Sequence, residues 1–396
     1  MKILLIHNKY KEHGGEDVVV DTEFNILKQH QQVRLLAFDN AAINSLLQKF
    51  LFGFRFFFNR QSASELQKVI SEFQPDIIHV HNFFYVASPS IFFTAKKNKI
   101  PIVLTMHNFR LVCAGALLLR NHQVCELCIH KKFPASGIVH ACHGRSRLRT
   151  AQLVAANAFH NYMGTWKNKV DTYIALTDFA KNKLADSSLG VPADKIIVKS
   201  NSVKDWTDQN NLPPRENFFL FVGRLSPEKG IDVLLKAMEQ THHQLEIIGD
   251  GPLREEVEKR IRTRSNIKYW GYQEKAFIIE RLRKASALIF PSIWYEGLPN
   301  TILEAFSTGT PIIASDIGNI NSIVTNNYNG LLFRTGDPES LLNKINIFSE
   351  GSGETKKLND NARTTYLEKY TEQKNYNALM AIYDRTIKKH NTRQQD

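Results

Sequence analysis

The chain has 396 residues, of which 43% are hydrophobic, and it carries 51 Lys and Arg against 39 Asp and Glu. This length and composition predict two globular domains, each with its own core, and they exclude a disordered chain. No uncharged apolar run approaches the roughly 20 residues of a transmembrane helix, and the start, MKILLIHN, lacks the basic segment and cleavage site of a signal peptide, so we expect a cytoplasmic protein.

The first half of the chain alternates between short apolar runs and helical segments. A strand at 3–6 leads through a loop into a helix from about Asp17 to His30, and Gly14 and Gly15 stand in that loop. Missing side chains there let the backbone approach a ligand closely, although simple turn glycines are the alternative. The loop is not a GxGxxG fingerprint, so a nicotinamide cofactor is only weakly indicated. Further strands are expected at 33–37, 76–80, 102–106, 172–176 and 195–198.

The segment Leu46–Arg60, LLQKFLFGFRFFFNR, is rich in phenylalanine and flanked by basic side chains. Aromatic-rich helices with basic flanks lie in membrane interfaces, whereas the alternative is an ordinary helix that faces the core. Residues 1–205 hold 26 basic against 15 acidic side chains, but residues 206–396 hold 25 against 24. We therefore expect residues 46–60 to bind an anionic membrane surface. One helical face would carry Leu47, Phe50, Leu51, Phe54 and Phe58.

Histidines follow two of the predicted strands. His107 comes directly after IVLTM and so stands at the carboxyl end of a strand, where parallel sheets bind ligands. His79 and His81 flank the end of another strand, IIHV, and we expect one of them to be packed.

All four cysteines of the chain lie within thirty residues, with the spacing C-x11-C-x2-C-x13-C. Disulfides are disfavoured in a cytoplasmic protein, so a structural tetrahedral zinc site is the preferred interpretation. Reduced thiols in the core are the main alternative, and a redox pair is a weaker one. The expected ligands are Cys113, Cys125, Cys128 and Cys142.

A polar, proline-bearing stretch, Ser200–Glu216, predicts a hinge, and after it the strand-then-loop pattern resumes. FFLFVGRLSPEKG places Arg224 and Lys229 after a buried strand. LEIIGDGP and IKYWGY end further strands at Gly249 and Tyr272, and SALIFPS and PIIASDIG repeat the pattern. Apolar runs separated by helices predict a parallel sheet with its ligands at the carboxyl ends of the strands.

The stretch PSIWYEGLPNTILEAFSTG, residues 291–309, carries two acids eight residues apart. Glu296 lies in a loop, and Pro299 suits the first position of a helix that we expect to end at about Thr308. Its first N–H groups then form a positive helix end that can hold phosphate or sugar oxygens. Glu304 lies further in, on an otherwise apolar helix, where a carboxylate needs a partner such as a ligand hydroxyl.

The order VGRLSPEKG, GDGP, PS–YEGLPNTILEA and G-P-I resembles glycosyltransferase family 4, the retaining group with the GT-B fold. The resemblance is dense over residues 218–333 and thinner before that. It implies an α/β protein with two Rossmann-like domains whose parallel sheets face a central cleft. The implied limits are 1–205 for the acceptor domain, with a Cys-rich insert at 113–142, 206–370 for the nucleotide-sugar domain, and 371–396 for a helix that crosses back. At the start of the predicted hinge the chain reads Asn201-Ser202-Val203, where the family often has N-G-V.

The resemblance also assigns roles to the residues. Arg224 and Lys229 would neutralise the donor diphosphate, Glu304 would bind the ribose, and Glu296 would hold the transferred sugar together with the N–H groups that follow it. His107 would contact the same sugar, and one of His79 and His81 would reach the acceptor region. The remaining donor-binding positions are Gly14, Gly15, Gly249, Tyr272, Gly297, Leu298 and Pro299.

The activity implied is that of a retaining hexosyltransferase in cell-surface glycan biosynthesis. The donor would be a nucleotide-diphosphate sugar, in the first place UDP-linked, and the acceptor a lipid-linked glycan, polysaccharide or lipopolysaccharide. No DxD-like acidic pair follows a strand, so a catalytic metal or other cofactor is not implied. The enzyme would associate peripherally with the inner face of the cell membrane. Two alternatives are a sugar-nucleotide epimerase of the same fold and a basic module that binds nucleic acid, although no nucleic-acid motif is present.

Overall fold

The computed structural model of the chain describes residues 1–9, 14–39, 56–207 and 214–395. These residues divide into two compact units. The first comprises residues 1–118, 125–201 and 375–396, and the second comprises residues 119–124 and 202–374. Each unit is built around one parallel sheet, as expected for an α/β fold.

The first unit contains a six-stranded parallel sheet in the order β2-β1-β3-β4-β7-β8. Its strands are buried apolar runs with helices in the connections between them, which is the pattern of a sheet covered on both faces. The expected strands are confirmed with shifts of one to two residues at most ends, and 102–106 matches at both ends. The strands of this sheet are β1 (Lys2–Lys9), β2 (Gln32–Asp39), β3 (Ile77–Val80), β4 (Ile102–Met106), β7 (Thr172–Ala175) and β8 (Ile196–Val198). Between β4 and β7 the chain forms a separate antiparallel hairpin, β5 (Leu119–Arg120) and β6 (Gln123–Val124), which is grouped with the second unit.

Helices connect the strands of this sheet. The described ones before the second unit are α1 (Gly15–Lys28), α2 (Arg60–Phe73), α3 (Ser90–Lys97), α4 (Ala135–Val139), α5 (Arg147–Tyr162), α6 (Thr165–Lys169) and α7 (Asp178–Ala185). One side of the sheet packs Ile3, Leu5 and Val103 against Leu379 and Tyr383, which come from the end of the chain. The first unit therefore depends on the final helix for part of its core.

The second unit repeats the design with the strand order β11-β10-β9-β12-β13-β14, all parallel. Five of these strands follow the predicted apolar runs. The sixth, β14, falls outside the sequence predictions. The strands are β9 (Phe219–Val222), β10 (Leu245–Ile248), β11 (Ile267–Tyr269), β12 (Ala287–Phe290), β13 (Ile312–Ser315) and β14 (Gly330–Phe333).

The helices of the second half are α8 (Ile231–Met238), α9 (Arg254–Ile261), α10 (Lys275–Lys284), α11 (Asn300–Ser307), α12 (Pro338–Glu350), α13 (Ser352–Lys369) and α14 (Glu372–Gln395). The three predicted C-terminal helices are thus present. From residue 375 onward, α14 belongs to the first unit. Within the predicted hinge, residues 208–213 lie outside the described residues.

The strand orders locate the ligand-binding edge of each sheet. In the second unit the chain leaves β9 toward β10 on one side and later returns to β12 on the other side of β9. Such a reversal opens a crevice at the carboxyl ends of the two strands. In the first unit the same reversal occurs between β1 and β3. The loops after β9, β12, β1 and β3 are therefore the places to look for a site.

Candidate active site

Lys229 and Glu296 meet at the reversal point of the second sheet, because one follows β9 and the other follows β12. The Nζ of Lys229 donates to Oε1 of Glu296 at 2.7 Å. The same oxygen accepts from Ser292 Oγ at 2.6 Å and from the indole N–H of Trp294 at 3.0 Å. Glu296 is only 5% exposed, so its charge is held almost entirely by these three donors. The pair forms a rigid charged corner rather than two surface side chains.

Glycine at position 230 brings the two loops together. Its backbone has φ +69°, and a Cβ there would lie 1.9 Å from the carbonyl oxygen of Pro291. The loops are then joined by the N–H of Ile293 and the hydroxyl of Ser292, which donate to the carbonyl of Glu228 at 3.0 and 3.2 Å. Any larger residue at position 230 would separate the loops that carry Lys229 and Glu296.

Glu304 lies on the buried face of α11 and is 4% exposed. The sequence predicts that this carboxylate needs a partner, and the structure provides Lys275, whose Nζ donates to Oε1 at 2.5 Å. Burial raises the pKa of the Glu304 carboxyl, and the charge of Lys275 opposes that shift. The Lys275 side chain is 47% exposed, so the partner of this buried carboxylate reaches solvent.

The loop after β12 leads into α11, which begins one residue later than predicted, with Pro299 as its N-cap residue. Leu298 is buried, whereas Gly297 and Pro299 are half-buried. The carbonyl of Glu296 accepts a hydrogen bond from the buried Nδ2 of Asn319, which follows β13. The main chain of the loop is therefore anchored from a third strand.

The remaining predicted donor residues of the second unit lie at the same edge of the sheet. Gly249 has φ +141°, and a Cβ there would lie 1.9 Å from the carbonyl oxygen of Gly223, so only glycine lets the loops after β9 and β10 touch. Tyr272 is 76% exposed. Arg224 is also exposed and forms no ion pair with any residue that the structure describes. Arg224 is thus available to an anionic ligand, whereas Lys229 is already paired.

In the first unit, His107 directly follows β4 and its ring stacks on that of His81 at 22° and 5.3 Å between centroids. The Nδ1 of His81 and the Nε2 of His107 are 3.1 Å apart. Burial lowers the pKa of His107 to about 3. The expectation that one of His79 and His81 reaches out toward an acceptor is wrong: both are buried, because His79 bonds to Tyr383 and Thr105 while His81 bonds to His107.

A second buried group contributes to this side of the first sheet. Glu23 of α1 forms an ion pair with Lys199, and both side chains are 2% exposed. Glu23, His79 and His81 also bring their ligand atoms within 4.8 Å of one another, a distance that a metal ion can bridge. Lys199 already supplies a positive charge to Glu23, and both ring nitrogens of His79 have partners at 2.7 Å. The ion pair with Lys199 therefore balances the charge of Glu23, whereas Oε2 of Glu23 and Nε2 of His81 have no hydrogen-bond partner in the described structure.

Gly14 and Gly15 stand at the start of α1, as the N-cap and first residue of the helix. The N–H of Gly14 donates to Asp17 Oδ2 at 2.8 Å, and the other oxygen of Asp17 meets His7 Nε2 at 2.8 Å. A Cβ on Gly15 would have open space around it, so this glycine leaves the helix start uncovered. Residues 10–13 of the same loop lie outside the described residues.

Two protein-family models together match residues 32–365 of the chain. The model of glycosyltransferase family 4 matches residues 32–205, and that of the glycosyl transferases group 1 matches residues 202–365. The chain belongs to glycosyltransferase family 4. The two models adjoin at the boundary between the sheets, so each half of this glycosyltransferase carries its own family signature.

Curated relatives support the assignment. The glycosyltransferase is 27% identical over 287 residues to an uncharacterized glycosyltransferase of Methanocaldococcus jannaschii, which covers 72% of this chain and 75% of that protein. It is 28% identical to the O-antigen chain mannosyltransferase C of Escherichia coli over 42% of this chain and 46% of the relative. A UDP-Gal:alpha-D-GlcNAc-diphosphoundecaprenol alpha-1,3-galactosyltransferase of Escherichia coli is 26% identical over 52% and 59%. The last two matches thus span only about half of each relative.

Solved structures confirm the GT-B fold. A glycosyltransferase from Rickettsia africae superposes with a TM-score of 0.69 at 17% identity, over 98% of both chains. The Anabaena protein HepE, solved in complex with UDP, superposes with a TM-score of 0.67 at 17% identity, over 97% of this chain and all of the other. At this identity the likeness establishes the fold of the glycosyltransferase and not its substrates.

The four cysteines lie in the segment between β4 and α5 and form no disulfide in the described structure. Burial raises the pKa of the Cys113 thiol, and hydrogen bonds from the backbone N–H groups of Leu118, Gly115 and Ala116 oppose that shift. Burial raises the pKa of Cys128 to about 11, and the other three thiols add to that shift, so all four are near one another. Among the described residues, however, the four sulfur atoms are not drawn together to within 4.8 Å. A zinc ion at this cluster stays a prediction.

The aromatic segment 46–60 lies largely outside the described residues, which resume at residue 56. Phe56 and Phe57 form a turn, Phe58 is irregular, and Asn59 caps α2. The prediction that Phe58 shares a helical face with the residues before it is therefore wrong. Among the helices that the structure describes, none combines the length and hydropathy that crossing a bilayer needs.

Several functional candidates in each of the two units were not found from the sequence. Lys275, Ser292 and Trp294 bind the two predicted carboxylates, and Glu23 and Lys199 pair next to His81. Ser292 and Trp294 stand within four residues of Glu296, which is the one signal that could have indicated them. Lys275, Glu23 and Lys199 are distant in sequence from their partners. A lysine at the start of a helix, such as Lys275, is ordinarily interpreted as a surface charge.

Proposed function

We propose that this glycosyltransferase is a retaining hexosyltransferase that takes its sugar from a UDP-linked donor. The observation that carries the proposal is the corner of Lys229 and Glu296 at the carboxyl ends of β9 and β12, with exposed Arg224 and the buried carboxylate of Glu304 at the same sheet edge. The fold neighbour HepE is described in complexes with UDP and with UDP and glucose, which supports the choice of nucleotide.

Charge determines the division of roles. A departing diphosphate develops negative charge, which preorganised cations stabilise. Arg224 offers a planar fork for phosphate oxygens, and Lys229 offers a point charge that Glu296 holds in place. In this proposal the Glu304 carboxylate accepts hydrogen bonds from the ribose hydroxyls in place of the one from Lys275.

In the transfer step, the acceptor hydroxyl oxygen bonds to the anomeric carbon while the bond from that carbon to the diphosphate oxygen breaks. The departing phosphate oxygen takes the proton of the acceptor hydroxyl on the same face, so the configuration of the sugar is retained. Glu296 and the N–H groups after it hold the sugar in register. The chain's own residues supply cations and positioning, and no metal ion is needed in this scheme.

For the acceptor, we propose a lipid-linked or polysaccharide glycan at the inner face of the cell membrane. Two relatives are named for O-antigen and diphosphoundecaprenol-linked substrates, and a fold neighbour is a lipopolysaccharide outer core galactosyltransferase. The ring of Phe57 is 5.9 Å from that of Phe159 on α5. Exposed apolar side chains near these two rings are Phe58, just before α2, Phe159 and Tyr162 on α5, and Met163 just after α5. Together with the basic excess of residues 1–205, they support contact with anionic lipid.

A transfer assay tests the proposal. The full-length enzyme is incubated with UDP-hexoses and an undecaprenyl-diphosphate-linked sugar, and the anomeric configuration of the product is read by NMR. A glycoside with the donor's configuration supports the proposal. An inverted product would contradict the retaining mechanism, and epimerised UDP-sugar formed without acceptor would favour an epimerase of the same fold.

A further inference from the structure

His107 is connected through His81 to a buried ion pair. The Glu23 carboxylate on α1 is paired with Lys199, which directly follows β8. Burial pushes the pKa of Glu23 up, but the charge and hydrogen bond of Lys199 bring it below its usual value overall, so the carboxylate is ionised. This fixed negative charge lies beside the imidazole of His81. It determines which ring nitrogen carries the hydrogen in His81 and, through His81, in His107.

The carboxylate first decides which nitrogen of His81 carries hydrogen. Oε1 of Glu23 is bonded to Lys199, while Oε2 lies 3.5 Å from Nε2 of His81. In the described structure neither Oε2 nor this Nε2 has a hydrogen-bond partner, and both atoms are buried, so each is the nearest polar atom that the other is known to face. A carboxylate oxygen only accepts, so an N–H faces it favourably and a bare nitrogen does not. His81 is neutral, because burial lowers its pKa well below the usual range, and it therefore keeps its one hydrogen on Nε2.

The assignment then passes to His107. The Nδ1 of His81 is bare and can only accept, and it lies 3.1 Å from Nε2 of His107. His107 must therefore donate through Nε2–H. Since His107 is also neutral, this is its only ring hydrogen, and its Nδ1 is left as a lone pair.

The neighbouring groups do not disturb this order. The ring of His79 lies 4.2 Å from that of His81, but its nitrogens bond to Tyr383 and Thr105. His7, the other nearby imidazole, faces Asp17. The series of contacts that starts at Lys199 and passes through Glu23 and His81 therefore ends at His107. His107 is half-buried, whereas the other three side chains are buried.

We propose that Glu23 and His81 are positioning residues that hold His107 in its Nε2–H tautomer, so that His107 presents a bare Nδ1 which favours a neutral sugar over a sugar acid. The identity of the ligand rests on the proposed function and on the contact between His107 and the transferred sugar that the family resemblance implies, whereas the tautomer rests on neither. A sugar hydroxyl donates to the bare nitrogen. A carboxylate at the same place would face a lone pair and lose that hydrogen bond. The loss of one such hydrogen bond corresponds to a roughly 10- to 100-fold higher kcat/KM for the neutral-sugar donor than for the sugar-acid donor.

The tautomer is tested by NMR on the full-length protein labelled with ¹⁵N-histidine, using a His107→Gln variant to assign the resonances. The wild type is expected to show a protonated Nε2 and a bare Nδ1 at His107. In Glu23→Gln the neutral amide can present either an oxygen or an N–H to His81, so a mixture of tautomers is expected. Because Lys199 would then be buried without a partner, the double variant Glu23→Gln/Lys199→Met is a second test that removes both charges. Asp21→Asn, on the exposed side of the same helix, is the matched control and should leave the spectrum unchanged.

Specificity is tested with UDP-glucose and UDP-glucuronate as donors. The wild type is expected to use the glucose donor at least tenfold better in kcat/KM, and the two Glu23 variants should narrow that ratio while leaving the Kd for UDP unchanged. A protonated Nδ1 at His107, an unchanged tautomer in both variants, or a preference for UDP-glucuronate would overturn the proposal. If no UDP-sugar is bound or transferred, the proposed function falls, and the NMR experiment still decides the tautomer.

Discussion

Replacing Lys229 with methionine removes a charge but keeps most of the side-chain length, so it isolates what the Lys229–Glu296 pair contributes. In the wild type, Glu296 Oε1 accepts from one cation and two neutral donors, all within 3.0 Å. In the variant the buried carboxylate keeps only Ser292 and Trp294. The second unit should therefore be less stable even before any ligand is added.

The size of the loss follows from the burial of the pair. Removing one partner of a fully buried ion pair costs about 3–5 kcal/mol. The Lys229 side chain is 23% exposed, so water can reach the site and replace part of the lost interaction. We expect a loss of about 2–3 kcal/mol, close to the value of a charged hydrogen bond, which corresponds to roughly 5–10 °C in Tm for a unit of this size.

Thermal and urea unfolding of four proteins measures the effect: wild type, Lys229→Met, Glu296→Gln and the double variant. The cycle should give a coupling energy of at least about 1.5 kcal/mol, because each single change leaves the same partner behind. Arg224→Met is the matched control, since Arg224 is exposed, and it should shift the free energy of unfolding by less than about 0.5 kcal/mol. Both cation variants should still bind UDP more weakly.

Equal stabilities for Lys229→Met and Arg224→Met, or additive effects in the cycle, would refute the reasoning. Either result would mean that Glu296 does not depend on Lys229 for its charge. The loop after β12 would then need another explanation for holding a buried carboxylate.

Four further predictions concern pH, metal and membrane. Burial raises the pKa of Glu304 above its usual 4.5, so just above pH 4.5 the folded state keeps a proton that the unfolded chain has released, and the free energy of unfolding should fall as pH rises through this range. A plot of Tm against pH should lose this slope in Glu304→Gln, and an unchanged slope would contradict a raised pKa. Burial lowers the pKa of His107 to about 3, so on acidification the unfolded chain takes up a proton before the folded protein does, and the free energy of unfolding should fall as pH drops from 6.5 toward 3. This fall should be less steep in His107→Gln, and equal slopes in the two proteins would argue against a neutral His107. Elemental analysis of protein purified without chelator should find one zinc per chain, absent in Cys125→Ser/Cys128→Ser, whereas a metal-free wild type would refute the site. In flotation assays the enzyme should bind anionic but not zwitterionic vesicles, less so in Phe50→Ser/Phe54→Ser, and equal recovery with both lipids would contradict a charge-driven contact.

Both sheets could be predicted from the sequence because their strands are short apolar runs separated by helices. IVLTM has Thr105 as its single polar residue and no charged one, which favours a buried strand, and the structure matches it at both ends. The same pattern placed Lys229 and Glu296 at strand ends, and the strand order then brought them together. Periodicity alone does not give that order, so the distance between them came only from the structure.

The partners of the buried charges could not be predicted in this way. Lys275 and Glu304 are 29 residues apart, and Glu23 and Lys199 are 176 apart, so each pair depends on how helices pack on a sheet. Reading Glu304 alone, the sequence suggests a ligand hydroxyl as the partner, where the structure has Lys275. The burial of both His79 and His81 likewise depends on Glu23 and Tyr383, which come from distant helices.

The most direct test of the central claim is a thermal-shift screen of the wild type with UDP, GDP and ADP, beside Arg224→Ala and Glu304→Ala. A nucleotide at 100 times its Kd stabilises the protein that binds it by about 2.7 kcal/mol. We predict that UDP raises the Tm of the wild type, that GDP and ADP do so less, and that both variants lose the response. If none of the three nucleotides raises the Tm of the wild type, the donor site proposed at the carboxyl ends of β9 and β12 is contradicted.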